Sequence, residues 1–246
     1  MTVPTTPGEI SAASRAAGAD DAAGAGLVLA PEYYETVYPS YDRQNPPYKY
    51  AHYLAEIRRF RPVFGSIGDI GCADGRFLEY VLDQASPERI IGADVNAAAI
   101  DRARTRLGQD DARRRWVVGG PQAAVGGETV DVLTALDCLE HIESLDEALQ
   151  AIDALLSPGG LFIAVVPVYD GPLGPLVHWL DRDPTHVHKC SRAFWLTALR
   201  LHFDVLRWHG ILRYLLPAGG PYLHAPTRWG RAVTPAILIA AQKRGL

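Results

Sequence analysis

Ile67-Gly68-Asp69-Ile70-Gly71-Cys72-Ala73-Asp74-Gly75-Arg76-Phe77 passes from an apolar run through an acid into two glycines that bracket a tight turn. The pattern predicts a buried strand over 66–70, a ligand loop and a helix over 75–84. Gly71 and Gly75 lack the side chains that would keep backbone N–H groups from a ligand, and the helix N-terminus that follows adds a favourable dipole. A glycine turn alone is weak evidence, because many α/β proteins use one merely to make a corner. The strands downstream decide what the turn holds.

Arg89-Ile90-Ile91-Gly92-Ala93-Asp94-Val95-Asn96 is a second short apolar run ending in an acid, one strand–helix–strand step later. In such a unit the two strands are parallel neighbours, and an acid at the carboxyl end of the second accepts hydrogen bonds from ribose hydroxyls. Asp94 is therefore the candidate ribose ligand, and the two features together predict an adenosine-containing cofactor. A dinucleotide fingerprint wants G-x-G-x-x-G beneath a pyrophosphate. Gly71-x-x-x-Gly75, with Ala73 between, offers no such cradle.

Here the chain resembles the class I S-adenosylmethionine-dependent methyltransferases, whose first motif is an acid followed by a small glycine-rich loop, as in Asp69-Ile70-Gly71-Cys72-Ala73-Asp74-Gly75. The resemblance continues at Val130-Asp131-Val132-Leu133-Thr134-Ala135-Leu136-Asp137-Cys138-Leu139-Glu140-His141-Ile142, which looks like the fourth strand and its loop. It extends to Leu155-Leu156-Ser157-Pro158-Gly159-Gly160-Leu161-Phe162-Ile163-Ala164-Val165-Val166-Pro167, a helix end, a turn and a fifth strand. The resemblance implies a Rossmann-like α/β fold with a seven-stranded, mostly parallel sheet, a reversed last strand and helices on both faces. It implies S-adenosyl-L-methionine as cofactor and S-adenosyl-L-homocysteine as product. By the same resemblance Gly71, Cys72, Ala73 and Gly75 would hold the methionine end, with Asp69 shaping the loop. Asp94 would hold the ribose, and the segment around Leu136 and Asp137 would border the methyl-transfer site. Many relatives place an acid after the third strand to accept from the adenine amino group; this chain offers Gly120 there. Gln122 and Val95 are the substitutes, an amide for the amino group and an apolar face for the ring.

Length and composition agree with one enzyme domain. The chain has 246 residues, 48% of them hydrophobic and 21% charged, enough for a full core and no comfortable second catalytic domain. That counts against an NAD(P)- or nucleotide-binding oxidoreductase, the first alternative; a non-catalytic S-adenosylmethionine-binding module is the second. A net charge of −4 gives no general attraction to nucleic acid or anionic membrane, so the expected partner is a small-molecule acceptor. Homodimerisation stays open. Three cysteines without paired spacing, no membrane-length apolar run and no secretory leader predict a cytoplasmic protein.

Residues 1–30, rich in Ala, Gly, Thr and Ser, predict a disordered tail, with a single domain over 31–246. Six tyrosines lie between Tyr33 and Tyr50, ahead of a helix reaching Phe60. Tyrosine joins an apolar face to a polar tip, which suits a lid over 31–60. In the family this segment often covers the cofactor; here it would carry Tyr33, Tyr41 and Tyr48 toward an acceptor. Packing of the helix onto the domain is the alternative reading of the same residues.

The remaining order is strand 89–94, helix 97–107, strand 115–118, strand 130–136, helix 145–156, strand 161–166, helix 191–200, strand 203–212 and a last strand over 235–241. No helix is evident between the final two strands, so they are expected to return antiparallel. The insertion over 168–190 should lie at the carboxyl edge of the sheet, where ligands bind. It contains Asp181-Arg182-Asp183-Pro184-Thr185-His186-Val187-His188-Lys189, of which Asp-Pro-Thr-His resembles a segment of several small-molecule methyltransferases. Methyl transfer from a sulfonium is an in-line displacement, helped by positioning and by removal of a proton from an O or N nucleophile. His186 is the candidate base or substrate anchor, with His141 as a reserve base; Asp137 and His188 are candidate acceptor contacts. Some ubiquinone-pathway O-methyltransferases resemble this chain in an acid before a Glu-His pair, with metal involvement. Glu140 and His141 point about 100° apart on a helix, however, and nothing fixes further ligands, so no metal site is assigned.

Overall fold

The computed structural model describes residues 33–36, 41–181, 183–215, 220–229 and 231–245. The stretch read as a disordered tail lies outside them. The short apolar runs form the strands: β1 Ser66–Ile70, β2 Arg89–Asp94, β3 Arg114–Val118, β4 Val130–Leu136, β5 Leu156–Pro167, β6 Phe203–Leu215, β7 Tyr222–Thr227 and β8 Ala236–Lys243. The helices are α1 Tyr33–Thr36, α2 Tyr41–Gln44, α3 Pro47–Phe60, α4 Arg76–Ala85, α5 Ala97–Leu107, α6 Pro121–Ala124, α7 Leu145–Leu155, α8 Gly174–Leu180 and α9 Arg192–His202.

One eight-stranded sheet takes the order β3-β2-β1-β4-β5-β8-β6-β7. β1 to β5 pair parallel, whereas β8 runs antiparallel between β5 and β6. Because successive strand residues face opposite sides, β5 divides its side chains between two cores. Phe162, Ala164 and Val166 meet Leu149, Ile152, Trp195 and Leu199 on the face of α7 and α9. Leu161, Ile163 and Val165 join Tyr53, Ile57, Leu78 and Ile100 on the face of α3, α4 and α5. A sheet covered on both faces explains why every residue of β1 is buried.

The seven-stranded expectation is corrected to eight. β7 pairs antiparallel with β6 as an edge hairpin. Its sequence, Tyr-Leu-His-Ala-Pro-Thr, carries a proline and a mostly half-exposed pattern, which an edge strand tolerates and a strand search passes over. β5 also starts earlier than the expected residue 161, taking in Ser157-Pro158-Gly159-Gly160 with a register shift against β4 and Gly159 at φ +67°. No helix among the described residues is long and apolar enough to cross a membrane. The carboxyl ends of β1, β2, β3, β4 and β5 all open on one edge, and the insertion, with α8 inside it, lies over that edge.

Candidate active site

A cleft of about 1790 Å³ occupies the edge. Pockets for one small ligand run to roughly 300–1,000 Å³, so this one has room for two reactants. Among the sequence-predicted residues it brings together Asp69, Gly71, Cys72, Ala73, Asp94, Val95, Gln122, Leu136, Asp137, His141, His186, Tyr33 and Tyr41.

The end over β1 and β2 is organised by Asp94. Its Oδ2 accepts from the Ala73 N–H at 2.8 Å and from the Tyr34 hydroxyl at 3.0 Å, and its Oδ1 accepts from the Asn96 N–H at 2.8 Å. Burial pushes the Asp94 carboxyl up, and these three donors work against that push. Asp69, fully enclosed behind the loop, accepts from the Thr134 hydroxyl at 2.6 Å. Burial raises it to about 7 against the lowering effect of that hydrogen bond, so it is only partly ionised near neutral pH. Gly71 has φ +73°, and a Cβ there would meet Cys138 Sγ at 2.6 Å; only glycine lets the loop lie against the turn after β4. Val95 and Gln122 stand at the mouth beyond β2 and β3.

Two parts of the loop reading are corrected. The Gly71 and Cys72 N–H groups donate to the Ala93 carbonyl at 2.8 and 3.1 Å, and the Gly75 N–H donates to Cys72. These donors are spent on β2 and within the loop, so the loop offers close approach and shape to a ligand in place of free N–H groups. Gly75 does not line the cleft: at φ +80° it begins α4, and a Cβ there would press on Leu107 and Ala103 of α5. Its role is helix packing.

The other end lies past β4, under the insertion. Leu139–His141 form a single 3-10 turn, and the Val187 and His188 N–H groups both donate to the Glu140 carbonyl. That brings His186 over the turn, its ring centroid 4.6 Å from that of His141. His186 Nδ1 sits 2.9 Å from Asp181 Oδ2 and 3.1 Å from the Tyr169 hydroxyl, while Nε2 lies 4.0 Å from Glu140 Oε1. Against the penalty of burial, hydrogen bonds from Tyr169, His186 and Lys189 hold the Asp181 carboxyl well below the usual range. An ionised Asp181 fixes the His186 ring with Nε2 free to take a proton, the arrangement general bases share. His141 is bonded to Thr185 Oγ1 at 2.8 Å, and burial pushes it down to about 4, with His186 adding to the shift.

Glu140, His141 and His186 each place one ligand atom within 4.8 Å of the other two, and Glu140 Oε2 has no partner among the described residues. The insertion thus supplies a third ligand atom that the sequence reading left unfixed; these three side chains could hold a divalent cation. His188 goes elsewhere. Its Nε2 meets the Ile142 carbonyl at 2.8 Å and its ring stacks near Phe194, outside the cleft lining, which corrects its assignment as an acceptor contact. Tyr48 likewise turns outward, 48% exposed and donating to the Tyr222 carbonyl. Tyr33 lines the cleft but spends its hydroxyl on Asp183, at 2.8 Å, tying the lid to the insertion.

Lys49, Arg213, Tyr34, Tyr53, Tyr222 and Asp181 also line the cleft or act in it, and sequence reasoning passed over them. A signal existed for two. Lys49 lies on the helical stripe of Tyr53 and Glu56, and Arg213 keeps the alternation of buried His209 and Ile211 in β6. A cation in an inward register is a candidate ligand group.

Residues 69–162 match the family described as "Methyltransferase domain". A ubiquinone biosynthesis O-methyltransferase of Brucella ovis is 31% identical over 100 residues, which span 40% of this chain and 40% of that protein. The fold is that of a chain in the complex between the Haloferax volcanii Trm112 methyltransferase activator and a methyltransferase, with TM-score 0.63 and 18% identity over 85% of this chain and 97% of that one. N-methyltransferase NodS of Bradyrhizobium japonicum in complex with S-adenosyl-L-homocysteine gives TM-score 0.54 and 16% identity, over 81% and 88% of the two chains. Residues 69–162, from the first-strand loop into β5, therefore match a methyltransferase domain, and the fold as a whole is shared with these solved methyltransferase structures.

Proposed function

We propose that this chain transfers the methyl group of S-adenosylmethionine to an oxygen or nitrogen atom of a small-molecule acceptor, with His186 taking the acceptor proton. When bound, the sulfonium supplies the methyl carbon and leaves as the neutral thioether of S-adenosylhomocysteine. The chain's own residues do the rest. Asp94 binds the ribose, the Gly71–Ala73 loop shapes the methionine end, and Val95 and Gln122 border the adenine. Tyr33 and Tyr41 exclude water above the cleft. Asp181 holds His186 through Nδ1 and leaves Nε2 to take the proton as the nucleophile's lone pair forms its bond to carbon.

The observation that carries this reading is one cleft with Asp94 at one end and the Asp181–His186 pair at the other. Calorimetric titration tests the cofactor: S-adenosylhomocysteine should bind more tightly than NAD(H), and the reverse order would overturn the assignment. A broad acceptor panel tests the transfer. Tight cofactor binding without any methylated product would leave a non-catalytic module. A second reading is favoured by the convergence of Glu140, His141 and His186, which would hold a divalent cation that stabilises charge on an acceptor oxygen. Turnover abolished by chelation and restored by added cation would support it, whereas unchanged turnover would discard it.

A further inference from the structure

Beyond β4, on the side of the cleft away from Asp94, two cations converge on one carboxylate. Arg213 Nη1 donates to Asp137 Oδ1, and Lys49 Nζ stands 3.5 Å from Asp137 Oδ2. Both cationic side chains are deeply placed, Lys49 with 8% and Arg213 with 17% of its side chain exposed. Among the described residues, Asp137 is the one carboxylate in ion-pair contact with either cation. Against its burial, Arg213 and Lys49 hold it below the usual carboxylate range, so two cations share one carboxylate in the cleft, and a buried charge calls for a counter-charge.

An independent observation marks the same place. The Tyr53 hydroxyl is fully buried and has no hydrogen-bond partner among the described residues, although the ring lines the cleft. Buried hydroxyls without partners are rare and call for one. Arg213 has further guanidinium donors beyond the one given to Asp137, and Lys49 lies over the Tyr222 ring at 5.5 Å from its centroid. A planar fork, an ammonium and a phenol at one spot, walled by aromatic rings, match a carboxylate on a flat scaffold.

Resting on the methyltransferase reading above, we propose that the acceptor carries a carboxylate, bound by Arg213 and Lys49 with the Tyr53 hydroxyl as a third donor. The sheet order assigns that anion to the acceptor. On that reading the cofactor would be held over β2 and β1 by Asp94 and the Gly71–Ala73 loop, whereas Arg213 stands on β6, three strand positions beyond β4 along the same edge. The methionine carboxylate of the cofactor is the other source of the same chemistry, and the experiment separates the two.

Benzoate and benzamide have the same shape and differ in charge. On the protein loaded with S-adenosylhomocysteine, benzoate should bind at least tenfold more tightly than benzamide. Arg213→Gln should erase that preference, and Lys49→Gln should reduce it several-fold, with S-adenosylhomocysteine affinity staying within twofold of wild type. The wild-type comparison needs no variant, so a variant that fails to fold leaves the test standing. Equal binding of the two probes to the wild type would overturn the proposal, as would a preference that survives both substitutions. Weaker binding of S-adenosylhomocysteine to Arg213→Gln, with 5′-methylthioadenosine unaffected, would also overturn it by giving the cations to the methionine carboxylate. If S-adenosylhomocysteine does not bind at all, the cofactor reading falls, and the two probes on the unloaded protein decide the anion site by the same criterion.

Discussion

The two ends of the cleft are built by different means. The end over β1 and β2 is made of chain that is close in sequence: a loop, one helix and the Asp94 turn, with most polar groups satisfied by neighbouring backbone. The end past β4 is made of side chains drawn from α3, the 3-10 turn, the insertion and β6, held by contacts such as Tyr33 to Asp183, 150 residues apart. The first is a local unit, closed within one strand–helix–strand step. The second is assembled only when the whole domain has folded, so it can vary while the first stays fixed. Donor binding and acceptor chemistry should therefore be separable by mutation.

The strongest way to break that separation is at His186. His186→Ala should lower turnover by about 10²–10⁴-fold, the usual contribution of a positioned base, and leave S-adenosylhomocysteine affinity within twofold in calorimetry. A wild-type rate would remove His186 from proton transfer; a large loss of cofactor affinity would show that the two ends are one unit. The converse variant is Asp94→Ala. It should weaken S-adenosylhomocysteine by ~1.5–3 kcal/mol through loss of charge-assisted hydrogen bonds, with turnover at saturating donor changed only a few-fold. Unchanged affinity would take Asp94 out of the ribose role.

The same contrast explains what the sequence could disclose. The parallel strands, the glycine loop and Asp94 are encoded by runs of a few residues and one strand–helix–strand spacing, so a linear reading reaches them. His186 was reachable through its Asp-Pro-Thr-His segment, but its orienting partner Asp181 emerged only from the folded insertion. Arg213 and Lys49 were passed over although their inward register was visible, because a single cation within an apolar alternation gains a partner only when the chain returns it to Asp137. Gly75 and His188 were misplaced for the opposite reason. Glycine in a turn and histidine in a loop suggest ligand contact, yet packing against α5 and a bond to the Ile142 carbonyl account for them.

A smaller effect probes how the far end is anchored. His52 of α3 lies 2.8 Å from His224 of β7 through one ring nitrogen and 2.8 Å from His209 of β6 through the other. Burial pushes His52 and His209 down to about 4 and His224 to about 3, with mutual repulsion and nearby Arg207 and Lys49 adding to the shift. These rings are neutral in the folded protein but protonate near pH ~6.5 when unfolded. Their stabilisation is present above that pH and fades as pH falls through 4. Asp69 and Glu140, raised by burial, act in the opposite sense, so the sign is read from a difference between proteins. Between pH 6.5 and 4.5 the thermal midpoint of His209→Gln should fall less steeply than that of wild type, by an amount equivalent to about 1–2 kcal/mol after allowance for solvent screening. Parallel slopes would sever the cluster from stability, and with it the idea that the acceptor end is pinned by these rings.

Tyr34 joins the two ends and gives the smallest and sharpest test. A carboxylate oxygen has two acceptor positions. Among the described residues, Asp94 Oδ1 uses one for the Asn96 N–H, leaving one, whereas Oδ2 takes both the Ala73 N–H and the Tyr34 hydroxyl and has none left. With Tyr34 in place only one ribose hydroxyl can be accepted; two require the tyrosine to withdraw. The lid residue is then a competitor for the ribose acid as well as a cover over it. Tyr34→Phe keeps the apolar ring and removes the competing donor, so S-adenosylhomocysteine should bind more tightly by about 0.5–1 kcal/mol, the net value of one hydrogen bond. Weaker binding would mean that the hydroxyl holds the lid shut over the donor. In that case the local end of the cleft is not autonomous, and its affinity depends on a side chain from the tyrosine segment.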